Sequence, residues 1–162
     1  MKTLLVMRHA KSDSANEGTD DHDRPLNARG ERDATRMALH VRDSAQCPDV
    51  ILSSTALRAR ATAESVATTC GARPVVLTRR LYLAQPRAYF NELLALPDNL
   101  VRAMVVGHNP GISEFLSTLL GDECEMPTAA VAVVSFPVEK WDLVDKRGTR
   151  DAFWAPKVLF RD

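Results

Sequence analysis

Thr3-Leu4-Leu5-Val6-Met7-Arg8-His9-Ala10 (residues 3–10) sets an unbroken apolar run directly against two strongly polar residues. Four consecutive apolar side chains, without the alternation of a half-exposed strand, mark a strand covered on both faces. Such a strand belongs to a parallel sheet flanked by helices. Its polar terminus then lies at the carboxyl edge of the sheet, where open α/β folds bind ligands. The same grammar recurs twice. Val50-Ile51-Leu52 leads into Ser53-Ser54 and soon Arg58, and Ala103-Met104-Val105-Val106 leads into Gly107-His108.

Helical spacing fills the intervals. Ala34, Met37, Ala38 and Val41 recur at i, i+3, i+4 and i+7, as do Ile112, Phe115, Leu116 and Leu119. The first helix is expected from Asn27, a capping residue with Leu26 before it, towards Asp43, with Pro48 closing the connection. In the later one Asn109 serves as cap, Pro110 suits the first turn, and Gly121 can take the left-handed conformation past the end. Two more helices are expected over residues 56–69 and 87–96. Beyond Gly121, residues 130–136 and 141–144 are short β-prone runs with Pro137 and charges between them, which predicts an antiparallel edge. The pattern as a whole predicts an α/β fold: a three-layer α/β/α sandwich with a mostly parallel central sheet and an antiparallel edge. At 162 residues, one domain over 1–162 is expected, with the polar, acidic stretch 11–24 as a long surface loop.

Charge and cysteine content narrow the setting. The 21 Lys and Arg are offset by 21 Asp and Glu, so no global field points to a nucleic-acid or membrane partner, and electrostatic recognition must be local. Cys47, Cys70 and Cys124 are odd in number, widely spaced and outside any Cys-x-x-Cys pair, which argues against a disulfide framework or zinc knuckle. They read as inert core residues in a reducing cytoplasm. The opening apolar run is too short for a signal-peptide core or a membrane span, so a cytoplasmic location is expected.

Right-handed crossovers would bring the three strand ends to one edge of the sheet, so that Arg8, His9, Arg58 and His108 converge. Guanidinium groups offer permanently charged planar donors that match phosphate oxygens, and a neutral imidazole can act as a nucleophile. Such a set can move a phosphoryl group without a metal or a cofactor, because that chemistry asks mainly for positioning and for stabilisation of negative charge. The imidazole must be neutral to attack, so activity should fall in acid, with neighbouring arginines pushing that limb lower.

Met7-Arg8-His9-Ala10-Lys11-Ser12, the run SSTALRARATAE from Ser53 to Glu64, and Val106-Gly107-His108-Asn109-Pro110 resemble the signatures of the histidine phosphatase superfamily, with its phosphoglycerate mutase-like fold. The likeness is specifically to its small SixA-like phosphohistidine phosphatase branch. Asp21-x-x-Arg24-Pro25-Leu26-Asn27-x-x-Gly30 resembles a further segment of that branch. The resemblance implies that His9 is transiently phosphorylated, that Arg8 and Arg58 clamp the phosphoryl oxygens, and that His108 donates to one of them. Water would then hydrolyse the phosphoenzyme. The sequence departs from the common pattern at Thr55, where Pro is frequent, and at Ala61, where Gln is frequent.

A further departure bears on substrate. Branches acting on phosphate esters usually supply a carboxylate general acid after the second motif, whereas Arg79-Arg80-Leu81-Tyr82-Leu83-Ala84 has none. Imidazole leaves far more readily than an alkoxide, so the gap fits hydrolysis of phosphohistidine on a partner protein. Asp13, Asp21, Asp23 or Glu92 could instead supply an acid from a loop, which would suit a small phosphate ester. A non-catalytic phosphate-binding module is the reading from a different class. Asp21 and Arg24 read equally as a buried ion pair fixing the loop and as substrate-binding residues. His22 and His40 read as ordinary loop and helix-surface residues, Arg60 as solvated or salt-bridged, and Trp141 and Trp154 as packing.

Overall fold

The computed structural model describes residues 1–14 and 18–161, so residues 15–17 of the expected 11–24 loop lie outside the described residues. Six strands form one sheet: β1 (Lys2–Arg8), β2 (Val50–Ser54), β3 (Val75–Thr78), β4 (Arg102–Gly107), β5 (Val131–Phe136) and β6 (Thr149–Trp154). Their order is β3-β2-β4-β1-β5-β6. β3, β2, β4 and β1 are mutually parallel, whereas β5 runs antiparallel to both β1 and β6.

The apolar run of β1 is central and wholly buried, and its alternation sorts it between two cores. Leu4 and Val6 point to the face that packs α3 (Pro86–Leu94) and α4 (Gly111–Leu120). Leu5 and Met7 point to the face covered by α1 (Ala28–Asp43) and α2 (Leu57–Thr69). A short C-terminal helix, α5 (Pro156–Leu159), lies against α1. These are the three layers the sequence predicts. Among the described residues, no helix is long and apolar enough to cross a membrane.

Local signals hold where side chains make local bonds. Asn27 caps α1 by accepting the Gly30 N–H at 2.8 Å, and Gly121 ends α4 with φ +69°. Asn109 does not cap α4. Its Oδ1 accepts the Ser113 hydroxyl at 2.6 Å and its Nδ2 donates to the Met126 carbonyl at 3.1 Å, while the Asn109–Pro110 peptide is cis.

Three expectations are corrected. Residues 141–144 are not a strand: Trp141–Leu143 is a 3₁₀ turn, held because the Trp141 indole donates to the Leu100 carbonyl at 2.9 Å. The second antiparallel strand is β6, whose leading residues Thr149-Arg150-Asp151 are exposed and carry no apolar signature. The short edge strand β3, unanticipated, pairs with β2 through four residues. Finally, Cys47 and Cys70 form a disulfide across 23 residues, leaving Cys124 as the free thiol. Tertiary structure brings the connection before β2 to the end of α2, a closeness that no spacing motif encodes. The cysteine pattern therefore no longer argues for a reducing compartment.

Candidate active site

Register fixes the site. Arg8 pairs with Gly107 across β1 and β4, and Ser53 pairs with Val106 across β2 and β4, so the parallel strands end level with one another. His9 and His108 leave adjacent strands side by side, with ring centroids 5.0 Å apart. Arg58, from the first turn of α2, joins them. Together these residues line a cavity of about 380 Å³ that also takes in Arg8, Asp21 and Arg24. All six sequence-predicted site residues are thus brought together.

His9 is held by backbone on both sides. Its own N–H donates to the Gly107 carbonyl at 3.1 Å, and its carbonyl accepts the Ala129 N–H at 3.0 Å. The ring's Nδ1 lies 2.7 Å from the Ala10 carbonyl. A carbonyl can only accept, so the proton sits on Nδ1 and the Nε2 lone pair is free. Burial pushes the His9 pKa down to about 4, the Ala10 carbonyl opposing and the charges of Arg58, Arg8 and Arg24 adding to the fall. The ring is therefore neutral at physiological pH.

His108 is likewise neutral, its pKa pushed down to about 3, first by burial and then by the neighbouring His9 and Arg58. Its Nε2 lies 2.8 Å from Ser54 Oγ, which already accepts the Ala56 N–H at 3.1 Å. The direction of that bond follows the His108 tautomer, since a hydroxyl can donate or accept, and the ring's other nitrogen is Nδ1. That Nδ1 is buried without a partner.

The arginines show the same feature. Arg8 donates through one terminal nitrogen to the Met126 carbonyl at 3.1 Å, and Arg58 donates to Asp21 twice, to its carbonyl at 2.6 Å and to Oδ2 at 3.0 Å. The Nε of each is buried and unpartnered. Buried donors are rarely left unpaired, because each costs about 1–3 kcal/mol. Of the five buried side-chain nitrogen and oxygen atoms without a partner among the described residues, three belong to Arg8, Arg58 and His108. All three residues line the cavity, which gathers two guanidinium groups and two imidazoles at the strand ends.

Asp21 and Arg24 form an ion pair, partly exposed where a buried one was expected. They pair at 3.1 Å, and both line the cavity. Asp21 Oδ2 also accepts the Tyr82 hydroxyl at 2.5 Å. That bond first, with Arg58 adding, pulls the Asp21 pKa down to about 2 against the opposing effect of burial. The other loop acids are engaged elsewhere: Asp13 Oδ1 accepts from Asn27 at 3.0 Å, Glu92 accepts from Arg80 at 2.6 Å, and Asp23 lies 3.4 Å from His22. Among the described residues, no group of three or more His, Cys, Asp or Glu side chains is gathered as metal ligands.

The supporting residues were not visible in the sequence. Thr62 accepts the Ala10 N–H at 3.0 Å and donates to the Arg58 carbonyl at 2.7 Å, joining the turn after His9 to the helix that carries Arg58. Gly107 is required by close approach, since an added Cβ would lie 1.9 Å from the Tyr89 hydroxyl. His22, assigned no role, sits edge-on to Tyr82 at 4.8 Å and lies 2.8 Å from the hydroxyl of Thr55, one of the positions where the sequence departs from its family pattern. Only an unusual hydroxyl at residue 55 could have signalled that contact. His40 packs edge-on to Trp154, and Arg60 is salt-bridged to Glu64 at 2.8 Å.

Comparisons with known proteins agree with the geometry. The family model for the histidine phosphatase superfamily (branch 1) matches residues 4–82. The uncharacterised protein Rv1276c of Mycobacterium tuberculosis is 35% identical over 139 residues, covering 79% of this chain and 85% of the relative. Among solved structures, an Agrobacterium tumefaciens protein assigned as the phosphohistidine phosphatase SixA superposes with a TM-score of 0.82 at 30% identity, over 96% of this chain and 98% of its own. The protein histidine phosphatase SixA complexed with tungstate shares the fold, with a TM-score of 0.80 at 22% identity over 97% of this chain and 99% of its own. The sheet, the layers and these likenesses bear out the phosphoglycerate mutase-like architecture, and the chain belongs to the SixA-like branch of the histidine phosphatase superfamily.

Proposed function

We propose that this protein is a metal-independent phosphatase that hydrolyses phosphohistidine on a partner protein through a covalent intermediate on His9. The Nε2 lone pair of His9 attacks phosphorus in line with the departing nitrogen. A P–N bond forms as the substrate's P–N bond breaks, and the leaving imidazole takes the bonding electron pair. Arg8, Arg58 and His108 donate to the equatorial oxygens, with Arg24 adding positive charge. Water then attacks the same phosphorus, its proton leaves with the inorganic phosphate, and His9 returns neutral.

The observation that carries the substrate assignment is the state of Asp21. Among the described residues it is the carboxylate in the cavity wall, and with its pKa at about 2 it has no proton to give at neutral pH. An alkoxide must be protonated as it departs. Protonated phosphohistidine instead releases a neutral ring whose conjugate acid has a pKa of roughly 6.5, so no enzymic acid is needed.

The test compares a phosphohistidine-bearing protein with a simple alkyl phosphate ester, for the parent enzyme and for Asp13→Asn, Asp21→Asn and Asp23→Asn. The phosphohistidine substrate should lead in kcat/KM by roughly 10²-fold or more, the scale of a missing general acid. Strong ester turnover that collapses in one of the three variants would assign the enzyme to small esters instead.

A further inference from the structure

Next to the catalytic cavity lies a second one of about 240 Å³ whose charged lining is entirely cationic: Arg8, Lys11, Arg29 and Lys157. Arg8, Lys11 and Thr128 line both cavities, so the two adjoin. Beyond it a third cavity, of about 560 Å³, shares Arg29 and Lys157 and adds Arg161. The acid there is Asp33, which lies 3.6 Å from Arg29 and 3.9 Å from Arg32. Lys11 and Lys157 are exposed and make no ion pair among the described residues.

This arrangement calls for an explanation because the chain as a whole carries no net charge. Four cations around one cavity repel one another; Asp33 offsets Arg29 at 3.6 Å, but Lys11 and Lys157 make no ion pair among the described residues, so an excess of positive charge is left for an anion to offset. The cavity shares Arg8 with the reaction site, so one substrate can reach both. Its cations are strung along successive cavities, and two of them are lysines, which act as mobile point charges and not as the rigid forks that seize a single phosphate. Carboxylates spaced along a chain suit that layout.

Building on the phosphohistidine reading above, we infer that the Arg8–Lys11–Arg29–Lys157 cavity is a specificity subsite that takes acidic side chains flanking the phosphohistidine of a protein substrate. Lys157 on α5 and Arg29 on α1 are specificity residues outside the catalytic cavity. They select the partner and leave the phosphoryl chemistry untouched.

The experiment uses two histidine-phosphorylated peptides that differ in having glutamates or glutamines around the phosphohistidine, with phosphoramidate and inorganic pyrophosphate as small substrates. The parent protein should favour the glutamate peptide by about tenfold in kcat/KM at low ionic strength, and the preference should shrink as salt screens it. Lys157→Glu should abolish the preference, lowering kcat/KM for the glutamate peptide by about tenfold more than for the glutamine peptide or phosphoramidate. Lys140→Glu, the same charge change at an exposed site elsewhere, should keep it. Equal turnover of the two peptides by the parent, or a preference that survives Lys157→Glu, overturns the subsite alone. Failure to turn over either peptide overturns the phosphohistidine reading with it. Pyrophosphate hydrolysis that is selectively slowed by Lys157→Glu would assign the subsite to small polyphosphates and sink the acidic-segment claim.

Discussion

The two halves of the sheet carry opposite burdens. In the parallel half, the carboxyl ends of β1, β2 and β4 bury His9, Ser53, Ser54, Arg58, Thr62 and His108, polar groups that a core would normally exclude. In the antiparallel half, β5 is an apolar core strand and β6 presents an exposed polar rim. Yet the quiet half braces the busy one. Arg8 N–H donates to the Ala130 carbonyl, Ala129 N–H bonds the carbonyls of Arg8 and His9, and the Met126 carbonyl receives both Arg8 and Asn109. Function is concentrated where strands end together, and the bracing is supplied by backbone of the segment 126–130 that leads into β5.

The sharpest way to break this contrast is His9→Ala, which removes the attacking nitrogen. Steady-state rates should fall by roughly 10³-fold or more, while thermal unfolding stays close to that of the parent. Next comes acid. Both imidazoles are neutral in the folded protein, and an unfolded histidine binds its proton near pH 6.5. The unfolded state therefore gains protons first as pH drops. Stability should be unaffected above about pH 6.5 and fall between there and the folded values of about 4 for His9 and about 3 for His108. His9 alone accounts for about 3 kcal/mol on that scale, which chemical denaturation at stepped pH would measure. The acid limb of kcat/KM should lie near pH 4 rather than 6.5, and a limb at 6.5 would mean His9 is solvated.

Gly107→Ala presses a methyl group into the Tyr89 hydroxyl and should cost about 1–3 kcal/mol. Its activity should fall as well, because the Gly107 carbonyl anchors the His9 N–H. Thr62→Val keeps the shape and strips the acceptor from the Ala10 N–H, an expected loss of about 1–3 kcal/mol in urea unfolding. At the small end, Arg150→Ala on β6 should move stability by no more than about 0.5 kcal/mol and leave turnover intact. A large effect there would erase the division between the halves.

The same division decides what could be read in advance. Along β1, β2 and β4, sequence and structure share a local code: buried strands spell continuous apolar runs and display their polar ends in register, so Arg8, His9, Arg58 and His108 were legible, whereas β3, the mostly exposed edge of the same half, was not. The antiparallel edge has no such code. β6 begins Thr149-Arg150-Asp151, indistinguishable from a loop, while the apolar Trp141 region resembles a strand until its indole finds the Leu100 carbonyl. Thr62, Ser54 and Tyr82 were opaque for another reason. Each works through a partner at least 52 residues away, Ala10, His108 and Asp21 in turn, and the Cys47–Cys70 bridge is opaque in the same way.

The central claim is that the Nε2 of His9 takes the phosphoryl group. Incubation with a labelled phosphohistidine or phosphoramidate donor, followed by rapid quenching and peptide mapping, tests it directly. Acid-labile, base-stable phosphate should map to His9 in the parent and be absent from His9→Ala. Label that persists in His9→Ala, or that maps to another residue in the parent, would contradict the account.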